Sequence, residues 1–314
     1  MGELRRYHNF GFDNFRWKGF RFRIDDIVIS TPPKSGTTWM QMMCALLIFQ
    51  ETSFDQPLTR ISPWLETLTE PLDSVVRTLD AQTHRRFIKS HMPFDGLPRD
   101  LHAKFICVGR DPRDVAVSWT HHEANVDVER LINVRIDAVG LDDLDELPPL
   151  RELPSDPRER FWYWVDEPAD VISPSSLAMT LYHLATFWSE RADTSVALFH
   201  YGDMSRDLDG EMRRLGAFLE IDVPHAKWDE LVAAASFANM RARSKELTPE
   251  VTQGFVKADT FFRRGSSGEW REFIQTDDDQ KHYEERVAEL ADPDLAQWAH
   301  SGSVGRRPDV APEQ

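Results

Sequence analysis

Residues 22–50 constrain this chain more than any other stretch. They run from a short β-type segment, FRIDDIVIS (22–30), through the turn TPPKSGTTW (31–39) into an apolar segment of helical length ending at Gln50. The β-type segment is too apolar for a surface, and the residues from Thr38 to Gln50 are apolar nearly all round, so both must be covered. A buried strand followed at once by a buried helix is half of a βαβ unit. It restricts the chain to a layered α/β architecture.

The rest of the chain repeats the theme. HRRFIKSHMP (84–93) reads as a second strand stopped at Pro93, KFICVGRDP (104–112) as a central parallel strand, and SVALFHYGD (195–203) as a fourth strand. Asp111 and Pro112 supply the N-cap and first residue of a helix continuing as RDVAVSWTHH, and a later helix contains GEMRRLGAFLEI (210–221). The pattern predicts an α/β fold with a central, mainly parallel sheet flanked by helices. Ligands bind such sheets at the carboxyl ends of the strands, and TPPKSGTTW, SHMP, GRDP and YGD all occupy those ends. Residues 123–175 differ: they carry many charges and prolines, then the aromatic run FWYW (161–164). They read as a long excursion over the site, anchored in part by aromatics, with a plain surface insertion as the alternative. A length of 314 residues fits one domain carrying this insertion, with a loose tail from about residue 303.

Charge and apolar runs exclude several classes. The formal net charge of −16 argues against non-specific nucleic-acid binding, so a polyanionic ligand requires a local basic cluster. Cys44 and Cys107 sit in apolar runs, which predicts buried thiols, and no disulfide framework or zinc spacing exists. The longest apolar run, residues 42–49, is far short of a membrane span, and the start lacks an apolar signal segment. These features predict a cytoplasmic protein with no integral membrane contact.

Four segments carry residues suited to chemistry. In TPPKSGTTW, the N–H groups at a helix start make a positive pocket, Gly36 permits close approach of an anion, Thr37 and Thr38 add hydroxyls, and Lys34 adds a charge. This is not a Walker A loop, because Lys34 precedes Gly36 instead of following a second glycine. In FIKSHMP, Lys89 and His91 are two apart and share one side of a strand, so the cation keeps the imidazole in its basic form. In GRDPRDVAVS, Arg110 at a strand end and Ser118 two turns into the helix can grip one phosphate. FFRRGSSGEW (261–270) sets Arg263 and Arg264 before Gly265 as a second basic loop. Each has a plain alternative: a capped turn, a surface lysine beside a histidine, an Arg110 ion pair with Asp111 or Asp114, and a solvated basic turn.

Together and in this order, the four segments resemble the cytosolic-type sulfotransferases, which use 3'-phosphoadenosine 5'-phosphosulfate (PAPS) and release the bisphosphate PAP. The similarity is greatest to an actinobacterial, glycolipid-sulfotransferase-like branch. It implies a P-loop-like sulfotransferase fold. It also implies that Lys34 contacts the phosphosulfate, that Ser35, Gly36, Thr37 and Thr38 wrap the 5'-phosphate, and that Trp39 stacks on adenine. Arg110, Ser118, Arg263, Arg264 and Gly265 would surround the 3'-phosphate, with Arg264 where the family usually has lysine. Tyr201 and Phe237 match adenine contacts, His91 matches the catalytic base, and Lys89 would hold the sulfuryl group. Ala235 replaces a usual threonine. Arg271, Gln275, Thr276 and Gln280 do not fit the family's dimer motif, so no oligomeric state is carried over.

The implied reaction moves SO3 from PAPS to a hydroxyl of a small-molecule or lipid acceptor, with no metal required. Phe94, His121 and the FWYW aromatics are candidates for an apolar acceptor pocket, with core packing as their other role. Two rival readings stay open at this level: a P-loop-type nucleotide kinase, and a non-catalytic nucleotide-binding protein on the same fold.

Overall fold

The computed structural model of the chain describes residues 4–147, 153–169, 173–247 and 267–302. The strands β1 (Ile27–Ser30), β2 (Phe87–Ser90), β3 (Lys104–Gly109) and β4 (Val196–His200) form one sheet in the order β2-β1-β3-β4. Every pairing is parallel, so all four carboxyl ends lie along one edge. The α/β class and the parallel sheet follow the sequence reading, but the strands are shorter at their ends. Residues 22–26 form a turn: Asp25 has a φ of 67° and the Asp26 carboxylate accepts the Arg23 N–H at 2.8 Å. At the other extreme, the His200 ring accepts the Gly202 N–H at 3.1 Å, so Tyr201, Gly202 and Asp203 open a helix and do not extend β4.

The helices are α1 (Thr37–Phe49), α2 (Leu58–Ile61), α3 (Leu72–Ala81), α4 (Pro112–Glu123), α5 (Val128–Val139), α6 (Pro157–Asp166) and α7 (Leu177–Trp188). They continue with α8 (Tyr201–Arg206), α9 (Leu208–Leu219), α10 (His225–Ala234), α11 (Phe237–Ala242), α12 (Ser244–Leu247), α13 (Asp277–Leu290) and α14 (Pro293–Ser301). Side chains alternate across a strand, and the two faces of the sheet separate accordingly. Ile27, Ile29, Phe87, Ile106 and Val108 pack with α1, α9 and α10. Val28, Ile88, Phe105 and Cys107 pack with α4, α7, α13 and α14. Helix α1 is buried from Met40 through Leu47, which is why it is apolar all round. Both cysteines are free and buried, as expected. Among the described residues no helix is long and apolar enough to cross a membrane.

Two buried ionic contacts fix the frame. At the amino ends of β1 and β2, Arg86 donates to Asp26 through Nε at 2.8 Å and through Nη2, with both side chains 1% exposed. In the excursion, Arg135 of α5 is 0% exposed and donates to Asp143 at 2.6 and 2.7 Å and to the Phe10 carbonyl at 3.0 Å. His8 reaches the same carboxylate at 2.8 Å. The excursion is thus tied to the N-terminal segment by ionic contacts as well as by aromatics. Within its run FWYW, Phe161 and Trp164 take the core-packing role, with Phe161 stacked on Phe273 at 5.3 Å, while Trp162 and Tyr163 are half-buried.

Candidate active site

The chain moves outward from β1 to β2, then crosses to the other side of β1 for β3. A crevice therefore opens between the carboxyl ends of β1 and β3, where α/β sheets bind ligands. The two expected phosphate segments meet there: Arg110, just after β3, donates from Nη1 to the Lys34 carbonyl at 3.0 Å.

The turn after β1 is held in an unusual shape. Lys34 has a φ of 68°, a left-handed conformation uncommon for a residue with a side chain. Gly36, at φ 108°, caps α1, and a Cβ there would come within 3.0 Å of the Tyr201 ring. The Thr31 and Thr37 hydroxyls lie 2.5 Å apart and close the turn, while the Ser35 N–H donates to the Pro32 carbonyl at 3.2 Å. The buried Ser35 hydroxyl has no hydrogen-bond partner among the described residues. Thr37 and Thr38 then open α1, so the N–H groups of the first turn face a place where no helical carbonyl precedes them.

Aromatics flank this turn. Trp39 is buried and donates its indole N–H to the Ala235 carbonyl at 2.8 Å. That bond fixes the segment leading into α11, where Phe237 is the first residue and half-buried. Trp39 also meets Tyr201 edge-on at 5.1 Å, and the Arg110 guanidinium sits 4.4 Å from the centre of the Tyr201 ring. Ser118 lies half-buried on α4. The ion-pair alternative falls on a different arginine: Asp111 pairs with Arg113 at 2.7 Å, and Arg113 stacks on Trp270 at 3.7 Å. Arg110 Nε is buried with no hydrogen-bond partner among the described residues. Arg263, Arg264 and Gly265 lie outside the described residues. The end of their loop is anchored on α4, because the Gly268 N–H donates to Asp114 Oδ1 at 2.8 Å.

At the tip of β2 the register sets Ser90 beside Ser30, and His91 follows. His91 Nδ1 lies 2.8 Å from the Thr31 carbonyl, which can only accept, so Nδ1 carries the proton and Nε2 is left basic. Burial, then the Lys89 ammonium, pushes the His91 pKa well below the usual histidine range, so the ring is neutral at physiological pH. Burial, then Arg110 and Lys89, brings Lys34 down to about 8. Burial brings Lys89 to about 8 as well, opposed by Glu66. Lys34, Lys89 and His91 each keep a partly open side while protein packs round their titrating ends. The site is therefore a poorly solvated cationic crevice with a neutral base at one end. Among the described residues no group of His, Cys, Asp and Glu could hold a metal ion.

Several neighbours escaped the sequence reading. Trp64 packs edge-on to His91 at 5.2 Å, and its ring centre lies 4.7 Å from the Lys89 ammonium. Glu66 is fully buried beside the same strand tip. His122, tilted against Trp119 with ring centres 5.1 Å apart, is brought to about 2 by burial, then by Lys34 and Lys89, so it senses both lysines. Its spacing of four from Ser118 places both on one helix face, and that signal was available. Of the acceptor candidates, Phe94 takes the alternative role of core packing, against Phe105 and Phe187, and His121 is exposed. A narrow cleft does adjoin His91, lined among others by Tyr7, Phe12, Pro32, Met179 and His183.

Comparison with known proteins agrees with this geometry. Residues 24–291 match the family described as the sulfotransferase domain. The chain is 40% identical over 314 residues to a glycolipid sulfotransferase of Mycobacterium bovis (strain BCG / Pasteur 1173P2), with 96% of each chain covered. Its fold is similar to that of retinol dehydratase in complex with androsterone and inactive cofactor PAP, with a TM-score of 0.65 at 18% identity, covering 90% of this chain and 89% of that one. It is similar also to mouse sulfotransferase SULT7A1 complexed with PAP, with a TM-score of 0.61 at 22% identity, covering 91% and 92%. The chain belongs to the sulfotransferase family, as a sulfotransferase of the PAPS-dependent kind.

Proposed function

We propose that this enzyme moves SO3 from PAPS to a hydroxyl of a glycolipid, with His91 as the general base. The observation that carries the reading is the His91 ring: Nδ1 is tied to the Thr31 carbonyl at 2.8 Å, and the neutral Nε2 lies beside the crevice that holds Lys34 and Lys89. A hydroxyl is a weak nucleophile while it keeps its proton. His91 Nε2 takes that proton as the acceptor oxygen bonds to sulfur. The bond from sulfur to the 5'-phosphate oxygen breaks in line on the opposite side, and PAP leaves with the electron pair. Negative charge grows on that phosphate oxygen, where Lys34 and the N–H groups of residues 35–38 neutralise it. Lys89 holds the sulfuryl oxygens, and Arg110 and Ser118 hold the 3'-phosphate together with Arg263, Arg264 and Gly265. Trp39, Tyr201 and Phe237 enclose the adenine.

The glycolipid assignment rests on 40% identity across 96% of both chains to a protein of that name. The test is PAP release from PAPS over a panel of glycolipids, simple alcohols and phenols. Turnover is expected with the glycolipids, and His91→Ala is expected to lower kcat by roughly 10²–10⁴-fold with PAP affinity little changed. Near-normal turnover in that variant removes His91 from its role, and turnover confined to phenols overturns the acceptor class.

A further inference from the structure

Behind Lys89 lies a carboxyl group that the reaction above does not use. Glu66 is 0% exposed. Its Oε1 accepts the Trp17 indole N–H at 2.6 Å and the Ser90 hydroxyl, while Oε2 is buried with no hydrogen-bond partner among the described residues. A half-satisfied buried carboxyl is costly to keep. The segment that carries it runs alongside β2: the Lys89 N–H donates to the Pro63 carbonyl at 3.0 Å, and Trp64 covers the Lys89 ammonium. The segment that carries Glu66 is therefore held beside Lys89 by backbone and by Trp64.

We propose that Glu66 is a positioning residue whose buried carboxylate keeps Lys89 in its ammonium form in the nucleotide-free enzyme, ready for the sulfuryl group. The inference rests on the sulfuryl role of Lys89 proposed above. The local charges favour it. Lys34, His91 and His122 all sense Lys89, and none of them stabilises a positive charge there. Glu66 does, against the burial that brings Lys89 to about 8. Burial also lifts Glu66, to about 7, opposed by the Ser90 and Trp17 hydrogen bonds and by Lys89. Arg16 is a further cation that senses Glu66. Removing the carboxylate leaves Lys89 buried among other bases with no counter-charge, and it sheds its proton at lower pH.

The test is the pH dependence of kcat/KM for PAPS with an accepted acceptor. Glu66→Gln keeps the shape of the side chain and an oxygen for Trp17 and Ser90 but removes the charge. Its alkaline limb is expected to move down by about one pH unit or more, with roughly tenfold loss at pH 8 and a smaller loss at pH 6. Glu66→Asp, which keeps the charge, is expected to restore the limb. A Glu66→Gln profile parallel to wild type at every pH, whatever its height, overturns the proposal. Should that variant not fold, the wild type decides by NMR of carbon-13-labelled lysine without nucleotide: a neutral Lys89 at pH 7 overturns the proposal, and an ammonium supports it. Lys89→Ala, run in parallel, separates the two readings. Full turnover there removes the role of Lys89 and this proposal with it, whereas an inactive Lys89→Ala beside an unshifted Glu66→Gln overturns only the Glu66 assignment.

Discussion

The two ends of β1 and β2 treat buried charge in opposite ways. At their amino ends, Arg86 meets Asp26 in a two-point ion pair in which both partners are 1% exposed. At their carboxyl ends cations outnumber counter-charge: Lys34 is lowered by burial, then by Arg110 and Lys89, while the buried Glu66 carboxyl acts on Lys89. A charge removed from water is tolerable when a partner replaces the lost hydration, and costly when its neighbours repel it. The first arrangement belongs to the frame. The second raises the energy of the empty protein, and under the proposed function a doubly phosphorylated nucleotide carrying a sulfuryl group would relieve it. A molecule of net charge −16 can thus concentrate an anionic co-substrate at one place on its surface.

The largest expected effect falls on the frame. Arg86→Ala strands Asp26 in the core and is expected to cost about 3–5 kcal/mol of stability in denaturant unfolding, with PAP affinity of the folded protein little altered. A selective loss of PAP binding there would break the contrast. Arg110→Ala is expected to do the reverse. It should weaken PAP binding by about 1.5–3 kcal/mol, seen by titration calorimetry, and leave unfolding nearly unchanged. Unaltered PAP affinity would take Arg110 out of the phosphate site.

The smallest effect is a proton count. Lys34 and Lys89 have folded pKa values near 8, below the ordinary lysine value of 10.5. That depression burdens the nucleotide-free fold fully below about pH 8, and the burden fades as pH rises from about 8 toward 10.5. Bound phosphates favour the ammonium forms, so nucleotide binding near pH 8 should take up on the order of one proton, and these lysines should contribute none by pH 6. Calorimetry in buffers of different ionisation enthalpy reads this directly, and zero uptake at pH 8 would mean that the two lysines are already fully charged.

Much of this architecture was legible in the amino-acid order. The near-continuous apolar runs identified four strands, because a parallel strand buried on both faces leaves little room for polar residues. The turn TPPKSGTTW announced a phosphate cradle, because a glycine and hydroxyls at a helix start have a local physical use. Their ends were less legible. Residues 22–26 look β-like in composition, yet the Asp26 carboxylate turns the backbone back on Arg23. Glu66 gave no signal, since a carboxylate in a short loop reads as solvated until the sheet closes over it. On the acceptor side the sequence left two roles open for Phe94 and Phe161, pocket wall or core packing, and burial in the fold gives them the second.

Local order, then, determined the class of fold, the place of the four segments at strand ends and the residue types proposed to serve a phosphosulfate. Each depends on neighbours within a few positions, where backbone geometry is short-ranged. Tertiary structure alone decided which charges are balanced. Arg86 and Asp26 are sixty positions apart and neutralise each other, whereas Lys34 and Arg110, seventy-six apart, are pressed together with like charge. Electrostatic energy depends on distance in space and on the water excluded between groups, and neither is set until the chain has folded.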